Sequence, residues 1–180
     1  MRGDASESID VSRVERESLQ LAALADIARL LDHDGIEYWL FGGWAVDFHR
    51  GQVTREHDDV DFAVWLDDVA RIGGLLAGDG WTHVPSPDDN GGTGYARGGV
   101  RFELTFLVRD DDGAVVIPLR NGSGAWLDDA RDADVRELHG VRARVVTLDA
   151  LTRSKSRIRN DGEDAAKDEA DTAVLRGISR

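Results

Sequence analysis

The 180-residue sequence contains no cysteine and no long hydrophobic run. Without thiols, the chain can form neither a disulfide framework nor a thiolate metal site. None of its apolar runs approaches the roughly 20 residues that a membrane-spanning helix needs. The segment 1–8 is polar, and no apolar stretch of the kind found in signal peptides follows it. We therefore expect a cytoplasmic protein that has no membrane partner.

Basic residues are also scarce, at 22 against 35 acidic residues, which gives a formal net charge of -13. Such a surface repels a phosphate backbone, so we expect no nucleic-acid partner. It attracts cationic small molecules by electrostatic steering, although acidity also serves simply to keep proteins soluble. A local exception near the C-terminus consists of the basic residues Arg153, Lys155, Arg157 and Arg159.

Hydrophobic periodicity predicts alternating helices and strands in a single domain. Helices are predicted over residues 14–31, 44–49, 67–76, 148–158 and 163–175. Strands are predicted over residues 36–41, 58–65, 81–84, 95–96, 100–108, 114–117 and 141–146. This order favours an α/β (α+β) fold, in which helices flank a mixed, twisted sheet. We expect residues 1–10 to form a flexible tail and residues 11–180 to form one domain, which includes C-terminal helices from about 148.

Two aspartates lie on one face of a predicted strand. In the segment 58–65, Asp59 and Asp61 alternate with Val60 and Phe62, so both carboxylates point to the same side. Two carboxylates this close repel each other when both are ionised, unless a cation lies between them. The alternative is an ordinary exposed strand face, which is about as frequent in an aspartate-rich protein.

A third carboxylate, Glu103, belongs to another strand with the same alternation, since it lies between Phe102 and Leu104. If the two strands are neighbours, Glu103 converges with Asp59 and Asp61 on one patch. Such a set of oxygen ligands suits Mg²⁺, which also coordinates substrate phosphates. Two Mg²⁺ ions can activate an attacking hydroxyl and neutralise a departing pyrophosphate. The sequence therefore predicts a metal site and a catalytic centre at these three residues.

Several residues near this patch are candidates for nucleotide binding. Gly42 and Gly43 lie between a strand and a helix, where bare backbone amides can approach a phosphate, although most such pairs only form a tight turn. Arg55 either holds a phosphate through two hydrogen bonds or forms a structural salt bridge. Lys155 either reaches a triphosphate from its helix or lies on a solvated helix face.

Other polar residues have simpler interpretations. Asp47 contacts nucleotide or substrate, or else it caps and packs its helix. For His57 we expect a hydrogen bond that orders the loop, because no partner histidine has the spacing of a metal site. We favour a structural role for Lys167 and Asp171 in the last helix. The glycine- and aspartate-rich segment 86–94 predicts a mobile loop.

The most informative motif runs from Phe41 to Phe62 and reads FGGWAVDFHRGQVTREHDDVDF. Its glycine pair, followed by the run from Thr54 to Asp61, resembles the aminoglycoside and lincosamide nucleotidyltransferases. In particular, it is similar to the aminoglycoside 2''-adenylyltransferase-like group of the polymerase-β-type nucleotidyltransferase superfamily. The close match is confined to this motif, and elsewhere only the order of the elements agrees.

This resemblance implies a nucleotidyltransferase fold and an enzyme that moves AMP from ATP onto a hydroxyl group with release of pyrophosphate. It implies that Gly42 and Gly43 hold the nucleotide phosphates and that Asp59 and Asp61 bind the catalytic metals. Glu103 fits the family's third carboxylate, where aspartate is common, and would be a metal ligand, the general base, or both. Lys155 fits the basic residue that is usual after the last strand.

The acceptor implied by the resemblance is a small hydroxyl-bearing molecule, such as a cationic aminoglycoside or another antibiotic, and resistance is the expected role. A homodimer is compatible with it. Two alternatives keep the same fold. One is a minimal nucleotidyltransferase antitoxin or protein-modifying AMP transferase that acts on a protein partner. The other is a non-catalytic nucleotide-binding protein, against which the intact Asp59 and Asp61 argue.

Overall fold

The computed structural model describes residues 5–85, 90–126, 133–155 and 162–178. The helices are α1 (Ala5–His33), α2 (Gly42–Arg50), α3 (Val69–Gly78), α4 (Leu148–Lys155) and α5 (Gly162–Arg176). The strands are β1 (Tyr38–Phe41), β2 (Val60–Trp65), β3 (Thr82–His83), β4 (Gly92–Arg97), β5 (Val100–Arg109), β6 (Val115–Leu119), β7 (Gly122–Ala125), β8 (Ala133–Leu138) and β9 (Val141–Val146). Among the described residues, no helix combines the length and apolar character needed to cross a membrane.

The strands form one mixed sheet. Seven of them follow each other in the order β3-β4-β5-β2-β1-β9-β8, while β6 pairs with the end of β5 and with β7. The pairs β1–β9 and β2–β5 are parallel, and the other pairs are antiparallel. This mixed sheet with flanking helices confirms the predicted α/β (α+β) class.

The parallel pair β2–β5 determines where the acidic residues lie. Asp61 is opposite Glu103, and Phe62 is opposite Leu104, so equivalent positions of the two strands share one face of the sheet. The neighbouring strand β1 ends with Phe41 opposite Asp61, which brings the start of α2 beside the same position. The inferred adjacency of the two carboxylate-bearing strands is therefore confirmed.

Aromatic packing behind the acidic face holds this register. Phe62 and Phe102 are fully buried, and Phe62 meets Tyr38 edge-on with ring centroids 5.6 Å apart. Phe102 stacks on Tyr95 at 5.3 Å and meets the edge of Trp81 at 4.8 Å. A slip of one residue would turn these rings towards solvent and the carboxylates into the core. The hydrophobic alternation thus fixes the position of the acidic residues.

Helix α1 is longer than the sequence predicts. It begins at Ala5, so residues 5–10 are helical although we expected them to form a tail. No glycine or proline occurs between Asp4 and Asp34, so no helix-breaking residue separates residues 5–10 from the rest of α1. The division of the chain into a tail and one domain stays a prediction.

Two strands escape prediction because they lack an alternating apolar pattern. β7 has the sequence GSGA and carries no large apolar side chain. β8 lies at the sheet edge, and its Val135 is 59% exposed, so its charged side chains dominate the pattern. The predicted loop 86–94 also differs, since β4 begins at Gly92. Residues 86–89, Arg157 and Arg159 lie outside the described part of the chain.

Candidate active site

The three predicted metal ligands meet at the surface of the sheet. One ligand atom from each of Asp59, Asp61 and Glu103 lies within 4.8 Å of the other two. This follows from the parallel register, which sets Asp61 beside Glu103, and from the strand alternation, which returns Asp59 to the same face. All three side chains are half-buried. A set of hard oxygen donors in this arrangement fits a divalent cation such as Mg²⁺.

The electrostatics of Asp59 support the same interpretation. Burial raises the pKa of Asp59 above its ordinary value, and the carboxylates of Glu103 and Asp58 raise it further. Arg101 and Lys167 lower this pKa, but their effect is smaller. Ionisation of Asp59 is therefore less favourable in the protein alone than in an exposed aspartate, and a bound divalent cation would relieve this cost.

Glu103 has a cationic neighbour on its own strand. The Arg101 side chain donates hydrogen bonds from Nε, at 3.0 Å, and from Nη2, at 2.9 Å, to Oε1 of Glu103. Both side chains are 43% exposed, so solvent screens this ion pair. Arg101 and Glu103 share a face of β5 because they are two residues apart.

The glycine pair at the start of α2 leaves the backbone open. Gly42 has φ +71°, a conformation that favours glycine, and a Cβ there would collide with the Asp61 carboxylate. A Cβ at Gly43 would collide with the His57 ring and the Arg55 guanidinium. The helix begins without a side-chain cap. Its first amides are thus available to an anion next to the carboxylate cluster.

A buried carboxylate orders the loop between α2 and β2. Asp47 is fully buried and accepts hydrogen bonds from the Thr54 amide, at 3.0 Å, and the Thr54 hydroxyl, at 2.5 Å. Its Oδ2 lies 2.5 Å from Nε2 of His57, and Gln20 donates to the His57 carbonyl at 2.9 Å. The loop-ordering bond predicted for His57 is confirmed. The Asp47 side chain therefore connects α2 to this loop through Thr54 and His57.

The two predicted phosphate ligands share a carboxylate partner. Arg55 donates from Nε and Nη2 to the two oxygens of Asp171, at 2.8 and 3.0 Å. Lys155 Nζ lies 2.7 Å from Asp168 and 2.8 Å from Asp171. Burial alone would raise the pKa of Asp171, but the hydrogen bonds from Arg55 and Lys155 hold it below its ordinary value. This ion network joins α4 and α5 to the loop before β2.

A more exposed pair connects α5 to the same loop. Lys167 Nζ lies 2.6 Å from Oδ2 of Asp58, and the side chains are 38% and 75% exposed. The hydrogen bond from Lys167 lowers the pKa of Asp58. The expected structural role of Lys167 and Asp171 agrees with these contacts.

These groups surround one cleft of about 330 Å³. Every residue that the sequence nominates for the site lines it, namely Gly42, Gly43, Arg55, Asp59, Asp61, Glu103 and Lys155. The cleft also includes Thr105, Leu151 and Ser154. The position of Thr105 follows from the alternation of β5, but no sequence signal marks it as a site residue. Leu151 lies in the wall only because α4 packs against α2 and α5.

A second concavity, which we call the β5–β7 groove, opens beside the cleft and has a volume of about 480 Å³. It shares Glu103 and Thr105 with the cleft. The rest of its described wall comes from Arg101 and Leu104 on β5, from strands β6 and β7, and from the segment 90–93. Glu103 is the one member of the carboxylate triad that borders both spaces.

A carboxylate cluster that can hold a cation, beside a helix start without a side-chain cap, is the arrangement expected of an enzyme that transfers nucleotides. The family model for aminoglycoside-2''-adenylyltransferase matches residues 23–175, so the chain belongs to that family. The resemblance that we derived from the motif around the glycine pair is thereby confirmed.

Individual relatives match over short segments. A 2''-aminoglycoside nucleotidyltransferase from Klebsiella pneumoniae is 38% identical over 45 residues, which is 25% of each protein. A lincosamide resistance protein from Staphylococcus haemolyticus is 49% identical over 35 residues, or 19% of this chain and 22% of that protein. These matches thus span about a quarter of the length of the curated relatives.

Solved structures match over most of the chain. The crystal structure of ANT(2'')-Ia in complex with adenylyl-2''-tobramycin has a TM-score of 0.65 at 16% identity and covers 87% of this chain and 90% of that one. The lincomycin-bound structure of the lincosamide adenylyltransferase LnuA has a TM-score of 0.63 at 20% identity, with coverages of 83% and 92%. At such identities the likeness establishes the fold.

Proposed function

We propose that this protein transfers AMP from ATP to a hydroxyl group of a small-molecule antibiotic, with Mg²⁺ as cofactor, and thereby confers resistance. The observation that carries this proposal is the convergence of Asp59, Asp61 and Glu103 beside the uncapped start of α2. ATP is available in the cytoplasm, so the reaction would take place there. A homodimer stays a prediction.

The nucleotide phosphates would lie against the amides of Gly42 and Gly43. Both residues line the cleft, and a side chain at either position would displace neighbouring site residues, namely Asp61 at Gly42 or His57 and Arg55 at Gly43. Arg55 and Lys155 also line the cleft, but they already pair with Asp171. In our proposal these cations keep Asp171 as an anchor and direct their remaining N–H groups to the triphosphate.

Asp59, Asp61 and Glu103 would hold two Mg²⁺ ions, whose charge would neutralise the phosphates and the departing pyrophosphate. Glu103 is the natural proton acceptor, since it alone of the triad borders the β5–β7 groove. It would take the proton of the acceptor hydroxyl as the hydroxyl oxygen bonds to the α-phosphorus. The bond from that phosphorus to the pyrophosphate oxygen would break, and pyrophosphate would leave.

The antibiotic class of the acceptor is supported by the names of two relatives, a 2''-aminoglycoside nucleotidyltransferase and a lincosamide resistance protein. The net charge of -13 also favours the approach of a cationic molecule over an anionic one. Both kinds of antibiotic offer hydroxyl groups on a sugar ring.

The test is incubation of the protein with Mg²⁺, ATP and a panel of aminoglycosides and lincosamides. We expect acceptor-dependent pyrophosphate release and a product whose mass has grown by one adenylyl group. Omission of Mg²⁺ should abolish both signals. If no acceptor of the panel is modified while AMP appears on a co-purifying protein, the protein-modifying alternative replaces this proposal.

A further inference from the structure

The described wall of the β5–β7 groove has little net charge. Among its described wall residues, the ionisable side chains are Arg101 and Glu103, and they form an ion pair. The other polar side chains of the described wall are neutral, namely Asn90, Thr93 and Thr105. An ammonium group that entered this groove would lie near the Arg101 guanidinium, whose positive charge repels it.

Part of the groove floor is apolar. Ile117 and Leu119 of β6 line it, whereas the Leu104 side chain is buried on the opposite face of β5. Gly124 on β7 faces the same floor, because a Cβ built there would lie 3.4 Å from Cδ1 of Leu119. Strand pairing also sets Gly124 opposite Ile117. The groove therefore offers dispersion contacts and burial to an alkyl or ring face of a ligand.

We infer that the β5–β7 groove selects a weakly charged, partly apolar hydroxyl compound over a polycation, and that Arg101 is the residue that determines this specificity. The inference rests on the proposed function, because it assigns the acceptor of that reaction to this groove. The acceptor would lay its apolar part on Leu119 and Ile117 and present a hydroxyl to Glu103. Arg101 would keep its ion pair with Oε1 of Glu103, and its positive charge would repel the ammonium groups of a polycation from the groove.

The decisive measurement is the ratio of kcat/KM for a lincosamide, which has one amine and alkyl substituents, to kcat/KM for an aminoglycoside, which has several ammonium groups. The wild-type protein should prefer the lincosamide. Arg101→Gln should shift the ratio towards the aminoglycoside by about tenfold, since one repulsive charge near the acceptor is removed. A ratio within each variant cancels any general loss of kcat that follows from the changed surroundings of Glu103.

Arg101→Lys is the matched control. It keeps the positive charge and removes the guanidinium geometry, so the acceptor preference should stay within about threefold of wild type. If Arg101→Gln and Arg101→Lys change the ratio equally, charge does not determine the choice of acceptor and the inference is overturned.

A second variant tests the location without changing charge. Gly124→Val should narrow the groove and raise KM for the preferred acceptor about tenfold, while KM for ATP stays unchanged. Ser123→Val is its control, because Ser123 precedes Gly124 on β7 and points to the opposite face. An unchanged acceptor KM in Gly124→Val would contradict the assignment of the acceptor to this groove.

The results separate the two proposals. If wild-type protein releases no pyrophosphate with any acceptor, the proposed function fails and the specificity inference fails with it. If it adenylylates aminoglycosides in preference to lincosamides, and Arg101→Gln weakens that activity, the proposed function stands and the inference alone is overturned.

Discussion

Two charged regions border the same cleft and are built on opposite principles. In the carboxylate triad, Asp59, Asp61 and Glu103 bring like charges together, and burial adds to the repulsion at Asp59. In the network around Asp171, a buried carboxylate lies between two cations and its pKa is held low. The first region costs stability in the protein alone, and the second contributes it.

This difference separates the residues that await a ligand from those that support the structure. A folded chain tolerates an unfavourable cluster of carboxylates where function requires it, and it compensates elsewhere. Here the compensation lies across the cleft, where Asp171 connects α5 to Arg55 in the loop before β2. Each of the following predictions tests one side of this contrast.

The largest effect is expected from Asp61→Asn. The substitution should lower kcat/KM by about 1000-fold, since it removes a proposed metal ligand, which would be worth several kcal/mol of transition-state stabilisation. Asp67→Asn makes the same change of charge at an exposed position outside the cleft and should leave the rate within about twofold. Steady-state pyrophosphate release measures both variants, and equal losses would point to net charge rather than to ligation.

Asp171→Asn should destabilise the fold by about 3 kcal/mol, because it removes the buried counter-ion of Arg55 and leaves Lys155 with Asp168 alone. Urea unfolding at pH 7 measures this, and Glu169→Gln, an exposed position on the same helix, serves as control. The folded-state pKa of Asp171 is lowered, so its contribution is complete above the ordinary pKa of 3.8. It disappears as pH falls through the folded-state pKa, and the difference between variant and wild type should shrink in acid.

Asp59→Asn should change the stability of the metal-free protein in the opposite direction, by raising it, and the change should be smaller than that of Asp171→Asn. The pKa of Asp59 is higher in the folded state than in the unfolded chain. As pH rises, this carboxyl group therefore ionises in the unfolded chain at a lower pH than in the folded protein. Stability therefore falls as pH rises through the folded-state pKa. At pH 7, without metal, the variant should melt at a higher temperature than wild type. Added Mg²⁺ should raise the melting temperature of wild type and have little effect on the variant. A lower melting temperature of the metal-free variant would contradict the proposed repulsion.

The smallest effect is expected from Asp58→Asn. Its partner Lys167 is 38% exposed and Asp58 is 75% exposed, so solvent screening limits the loss to at most about 0.5 kcal/mol. The loss should be present at neutral pH and vanish below the folded-state pKa of Asp58, which lies under its ordinary value. Thermal melts at low and high salt measure it. A loss as large as that of Asp171→Asn would show that exposure does not distinguish the two ion pairs.

The sequence predicts the carboxylate triad because the patterns that identify it are local. The alternation around Asp61 and around Glu103 identifies the face of each strand, and the glycine pair identifies the start of α2. The adjacency of the two strands could be inferred from the shared pattern, but their parallel direction could not, since alternation is the same in either direction.

The sequence identifies the basic residues of the cleft as candidate ligands, but it does not predict which carboxylate they contact. Arg55 is predicted as a phosphate ligand from its chemistry, and Lys155 from its chemistry and from the family resemblance. Their common partner Asp171 lies far along the chain, and a charged residue on a polar helix carries no signal of a distant contact. The β5–β7 groove was missed for a similar reason, since β7 lacks any apolar pattern.

The parallel register of β2 and β5 also determines when the site can appear during folding. The hairpin of β4 and β5 closes through a short connection, whereas β2 and β5 meet only after the chain has returned through α3, β3 and β4. Such long-range pairing forms slowly, because the chain loses the entropy of loop closure before the new contacts lower its free energy. A partly folded chain with local hairpins has no three-carboxylate site. Mg²⁺ would then bind the native state alone and draw late intermediates towards it by mass action.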